Sequence, residues 1–87
     1  MLTVIVPTYN AEPYLSQAIG SLLNENKIEL EILAINDGST DNSLAIMQDF
    51  AARDSRVRVI DKANQGYGAT CNLGIREAKG DWIAILE

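Results

Sequence analysis

The sequence predicts an α/β fold built on a parallel sheet, and three observations predict it. A uniformly apolar or β-branched run stands at residues 2–6, and a second run, apolar except for Glu31, stands at 30–35. Stretches with helical spacing of apolar residues follow them. Each run stops in a polar loop that opens the next helix, so the chain reads βαβαβαβ, the order of a parallel sheet with right-handed crossovers.

The elements follow in order. Residues 2–6 have the composition of a strand covered on both faces. The first helix is expected from about Pro13 to Asn24, because proline suits a first helical turn. Leu15, Ala18, Ile19, Leu22 and Leu23 recur there on one face. The second strand covers 30–35. Asp37-Gly38-Ser39-Thr40 reads as a turn, with Ser39 and Thr40 as cap candidates for a helix from about Asp41 to Ala52. Leu44, Met47, Phe50 and Ala51 give that helix its apolar face. The third strand, about Arg56 to Asp61, alternates polar and apolar residues, which marks a half-exposed strand at a sheet edge. A third helix is expected from about Gly68 to Ala78, with Gly80 as its C-terminal cap. The last strand runs from Trp82 to Leu86.

At 87 residues the chain makes one small domain, or part of one. A chain this size buries roughly 60–65% of the surface it exposes unfolded, so its stability is expected to be marginal. The net charge of -5 argues against a nucleic-acid partner. The single cysteine, Cys71, excludes an internal disulfide and is compatible with a reducing compartment. With no histidine, a histidine base or metal ligand is excluded. No apolar run approaches the ~20 residues of a membrane helix. The N-terminus reads as a strand without a basic leader, not as a signal peptide.

In parallel α/β sheets, ligands bind outside the carboxyl ends of the strands. That places Thr8, Tyr9 and Asp37 at one rim. An aromatic face beside a carboxylate suits a nucleobase, which stacks on the one and donates N–H to the other. Position alone leaves Asp37 open between this role and that of a turn former before glycine. The segment Gly66-Tyr67-Gly68 lets a ligand or a backbone approach closely. It follows the third strand rather than the first, which argues against a dinucleotide fingerprint.

Four blocks carry a family resemblance: Val4-Ile5-Val6-Pro7-Thr8-Tyr9-Asn10, Ile35-Asn36-Asp37-Gly38-Ser39-Thr40-Asp41, Asn64-Gln65-Gly66-Tyr67-Gly68-Ala69-Thr70-Cys71-Asn72-Leu73-Gly74, and Ala78-Lys79-Gly80-Asp81-Trp82-Ile83-Ala84-Ile85-Leu86-Glu87. In this order they resemble the family 2 glycosyltransferases of the GT-A fold, across essentially the whole chain. The resemblance implies a three-layer, Rossmann-like α/β architecture with a mainly parallel sheet in the order 3-2-1-4. It implies that residues 1–87 are the N-terminal nucleotide-binding portion of an incomplete domain, truncated after the fourth strand. The implied activity is inverting transfer of a sugar from a nucleoside-diphosphate sugar, most often a uridine one, to an acceptor hydroxyl.

The resemblance assigns nucleotide binding to Pro7, Thr8, Tyr9, Asp37 and Gly66, and no catalytic residue to this chain. For Gly66 a plain loop glycine is the competing reading. Glu87 aligns with, or just before, an acidic motif that holds a divalent cation, magnesium or manganese, against the donor diphosphate. Its competing reading is a polar strand end. The metal site and the general base are expected downstream, so the fragment alone is expected to be inactive and to hold no cation tightly. Many family members carry a basic residue where this chain has Cys71, here read as a small packing residue. The expected partners are a nucleotide-sugar donor and a sugar or lipid-linked acceptor. A second copy is expected to pair through the open apolar edge at 82–86. The implied location is the cytoplasm or the cytoplasmic membrane face. A non-catalytic nucleotide-binding module is the alternative. A receiver-like domain ranks below both, because no acid directly follows the first strand.

Overall fold

The computed structural model describes residues 1–86, so Glu87 and its expected role lie outside the described residues. Four strands and three helices alternate: β1 Leu2–Thr8, α1 Glu12–Leu23, β2 Leu30–Asp37, α2 Ser43–Arg53, β3 Val57–Lys62, α3 Tyr67–Glu77 and β4 Trp82–Ile85. All strand pairs are parallel, and the sheet order is β3-β2-β1-β4, as expected.

The apolar runs form the two middle strands because both of their faces are covered. On one face Val4, Val6, Ile32 and Ala34 meet Leu15 and Ile19 of α1 and Met47 of α2. On the other face Ile5, Leu33 and Ile35 meet Leu73 of α3 and Ile60. The sheet is therefore the middle of three layers. In α2 the residue that packs on the core ahead of Met47, Phe50 and Ala51 is Ile46 rather than the expected Leu44.

Several boundaries move for physical reasons. β2 runs to Asp37, two residues beyond the apolar run, because its register with β1 and β3 continues through Asn36, which pairs with Thr8 and Asp61. Ser39 and Thr40 do not cap α2. Asn42 stands at that position without a side-chain cap bond. Ser39 and Thr40 instead tie the β2–α2 loop to the β1–α1 loop: Asn10 N donates to Ser39 Oγ at 2.9 Å, and Thr40 N donates to Asn10 Oδ1 at 2.8 Å. The two helix starts also satisfy each other. Glu12 N donates to Asp41 Oδ2 at 3.2 Å, and Asn42 N donates to Glu12 Oε1 at 3.0 Å. Such partners replace the local caps that helix N-termini otherwise need.

Gly80 is not a left-handed helix cap. α3 stops because Ala78 turns extended, at φ −64° and ψ 135°. Gly80 is glycine because of crowding: a Cβ there would lie 2.6 Å from Met1 O and 2.7 Å from Thr3 Oγ1. Gly74 serves α3 in a similar way, since a Cβ would lie 2.7 Å from Ile5 Cγ2. Gly74→Ala is therefore expected to cost about 1–3 kcal/mol by lifting α3 from the sheet. A urea melt within a few tenths of a kcal/mol of the parent chain would contradict that close fit.

At the end of the sheet opposite the β1 and β2 loops sits a buried carboxylate. Glu31 accepts from Thr3 Oγ1 at 2.8 Å, Arg58 at 2.9 Å and Lys79 N at 3.0 Å. Arg58 also donates to Glu77 O at 3.0 Å. This one node joins β1, β2, β3 and the end of α3. On the outer edge all four residues of β4 are exposed, with Trp82 at 74%.

Candidate functional site

β1 and β2 deliver their last residues side by side, and α3 starts opposite them. A cleft of about 80 Å³ opens there, lined by Pro7, Thr8, Tyr9, Asp37, Tyr67 and Thr70. Four of the five expected nucleotide-binding residues line it. The fifth, Gly66, joins through its backbone, which donates N–H to Asp37 Oδ2 at 3.0 Å. Gly66 takes φ 97°, a conformation that favours glycine, and stands at the cap position of α3. From there it also accepts from Thr70 N at 3.1 Å and Thr70 Oγ1 at 2.9 Å.

Asp37 is the centre of the site. Its side chain is 6% exposed and pairs with Lys62, itself 12% exposed, at 2.6 Å. Gln65 N donates to the same oxygen at 2.9 Å, and Asn64 Nδ2 donates to the Asp37 carbonyl at 3.0 Å. Burial raises the carboxyl pKa, but the Lys62 ammonium and the Gln65 and Gly66 N–H groups outweigh it, so the net shift is downward. Glu31, at the other end of the sheet, also ends below its ordinary value, with Lys79 N–H, Arg58 and Thr3 outweighing burial.

A folded-state pKa below the unfolded one means stability that is complete above the ordinary value and lost on acidification. The ordinary values are 3.8 for Asp37 and 4.5 for Glu31. The melting temperature should therefore hold from about pH 7 to 5 and fall toward about pH 3, as thermal melts would read. A profile that stays flat to about pH 3 would contradict both networks.

The other expected residues divide. Tyr9 is 55% exposed, so its ring is available to a ligand rather than packed in the core. The Thr8 hydroxyl turns back on its own strand and donates to Val6 O at 3.1 Å, which leaves it only acceptor capacity toward the cleft. Cys71 is free and buried, as a packing residue should be. Three site residues were missed from sequence: Lys62, Tyr67 and Thr70. Lys62 reaches the site only through the β2–β3 register, in which it pairs with Asp37. Ending the third strand at Asp61 put it outside the element. Tyr67 stood between the two glycines, where only the glycines were weighed.

Among the described residues no group of three or more acidic, histidine or cysteine side chains could hold a metal ion. The cleft's own acid, Asp37, already accepts from three protein donors, one of them the Lys62 ammonium. These residues do not fit a cation, and no step through one is derived from them. A larger groove of about 460 Å³ lies between α1 and the end of β1, near Leu86, with mainly apolar walls. Among the described residues no charged side chain lines it.

Comparison with known proteins supplies the remaining findings. Residues 3–87 match the family described as Glycosyl transferase family 2. The chain is 41% identical over its whole length to the uncharacterized glycosyltransferase EpsJ of Bacillus subtilis, covering 25% of that protein. It superimposes on Staphylococcus aureus TarS 1-349 in complex with UDP-GlcNAc with a TM-score of 0.83 and 27% identity, over 98% of this chain and 25% of that one. The mannosyltransferase PcManGT of Pyrobaculum calidifontis, in complex with GDP-Man and Mn2+, gives a TM-score of 0.80 at 23% identity, over 94% of this chain and 25% of that one, a likeness of fold. The chain thus spans about a quarter of the length of these relatives.

Proposed function

Because this chain belongs to glycosyl transferase family 2, we propose that it forms the nucleotide-binding part of an enzyme that transfers a sugar from a nucleoside-diphosphate sugar to an acceptor hydroxyl. The observation that carries this reading is the cleft at the carboxyl ends of β1 and β2, which exposed Tyr9 and buried Asp37 both line. In the proposal, the base stacks on Tyr9 and donates N–H to Asp37, while Pro7, Thr8 and the Gly66 backbone shape the pocket around base and ribose. A uridine donor suits it, supported by the complex of the TarS relative with UDP-GlcNAc. Transfer is inverting in this reading. The whole enzyme uses magnesium or manganese on the diphosphate, where a hard cation suits carboxylate and phosphate oxygens. The 87-residue chain alone is inactive in this reading.

An amide-resolved NMR titration of the chain with UDP tests the site. Shifts should gather at Thr8, Tyr9, Asp37 and Gly66. Tyr9→Ala should weaken binding by roughly tenfold, the low-to-middle range for loss of one base–aromatic stack. Shifts scattered over α2 or the β4 edge instead would sink the assignment.

We also infer that two copies of the chain pair through β4, because an unpaired apolar strand edge recruits another strand. Sedimentation at high micromolar concentration should show dimers, and a purely monomeric boundary would remove this inference.

A further inference from the structure

A carboxylate offers about four acceptor positions. Three of those on Asp37 are filled by donors among the described residues. Oδ1 takes Lys62 Nζ at 2.6 Å and Gln65 N at 2.9 Å, and Oδ2 takes Gly66 N at 3.0 Å. One position, on Oδ2, takes no donor among the described residues and is left for a molecule entering the cleft.

Lys62 does not yield its place easily. It lies opposite Asp37 in the β2–β3 register. Its ammonium also donates to Ala63 O at 3.1 Å and to Thr70 Oγ1 at 3.3 Å. It is anchored by three oxygens, in a side chain 12% exposed.

Bases differ in the number of donors they bring to a carboxylate. The pairing edge of uracil has one ring N–H between two carbonyl oxygens. Guanine presents its ring N–H beside an exocyclic amine, and satisfies both by bridging the two oxygens of a carboxylate. With Oδ1 full, that bridge cannot form. The second guanine donor would be left facing the Lys62 ammonium, unpaired and away from water, which costs a buried polar group dearly.

We propose that Lys62 sets the base specificity of this cleft: by filling Oδ1 it limits Asp37 to a single ligand N–H, so the site takes a uracil-type base and rejects guanine. This rests on the nucleotide reading above and goes beyond it. Lys62 acts through Asp37, as a positioning residue rather than a catalytic one.

The test is a set of NMR titrations of the 87-residue chain with UDP, GDP and UDP methylated at the uracil N3. The parent chain should prefer UDP over GDP by about tenfold or more, and lose about as much on N3 methylation. Lys62→Met frees an acceptor on Oδ1, so it should narrow the UDP preference by about fivefold or more, mainly through tighter GDP binding. Lys62→Gln keeps a donor on Asp37 and should keep the preference. A Lys62→Met chain that weakens both nucleotides equally, or leaves their ratio unchanged, assigns Lys62 a merely structural role and overturns the proposal while leaving the nucleotide site standing. Equal binding of N3-methylated UDP and UDP by the parent chain overturns it without any variant, so it stays falsifiable if Lys62→Met fails to fold. Failure of the parent chain to bind either nucleotide overturns both this inference and the reading it rests on.

Discussion

Asp37→Ala is expected to cost the chain about 3–5 kcal/mol, the range for removing one partner of a buried ion pair. The substitution strands three donors at once: the Lys62 ammonium and the N–H groups of Gln65 and Gly66. Lys62 has little solvent to turn to, and its other two acceptors are neutral oxygens of Ala63 and Thr70. A chain of 87 residues has a total stability of roughly 4–13 kcal/mol at the usual value per residue. Asp37→Ala therefore removes between about a quarter and all of it. Adding Lys62→Met to Asp37→Ala should recover part of the loss, because the unpaired charge goes with it. Urea unfolding followed by circular dichroism measures both chains. An Asp37→Ala chain within about 1 kcal/mol of the parent would mean that the pair contributes little beyond its geometry.

Glu31→Ala is the second large effect, expected at about 2–4 kcal/mol. Glu31 is buried to 6% exposure within the sheet and accepts from Thr3, Arg58 and Lys79. The cost is lower than at Asp37 because Arg58 is half-buried and has a second acid, Glu77, at 3.5 Å. The Thr3 hydroxyl and the Lys79 N–H have less freedom. Glu31→Gln keeps an acceptor oxygen for them and should lose roughly half as much. Equal losses for the alanine and glutamine variants would show that charge, not the count of acceptors, governs the node.

The edge position of β3 and the packing of α1 were legible because each rests on a local pattern, whereas the sheet order came only from the family resemblance. Residues 2–6 and 30–35 are apolar enough to require cover on both faces, and 56–61 alternate. The rim residues Thr8, Tyr9 and Asp37 followed from the ends of those strands. What failed to show in the sequence depends on contacts between distant segments. Ser39 and Thr40 have the composition of helix caps, but Asn10, about thirty residues away, takes them as partners. Gly80 stands where helices often end in glycine, yet its reason is the first strand's approach. Lys62 stood one residue past the expected end of the third strand. Only the register of β2 against β3 brings it onto Asp37.

The two faces of the sheet are unequally filled, and that sets how the molecule breathes. Among the described residues, the cluster under α1 and α2 holds nine buried residues, and the one under α3 holds three. Local opening follows the weakest packing. The amides of α3 should thus exchange with solvent sooner than those of α1 or α2. α3 is also the element that carries Tyr67 and Thr70 into the cleft. A molecule that settles there binds the closed form and not the open one, so it slows exchange along α3 while leaving the opposite face unchanged. Deuterium uptake along α3 can therefore report an occupant before its chemical nature is known.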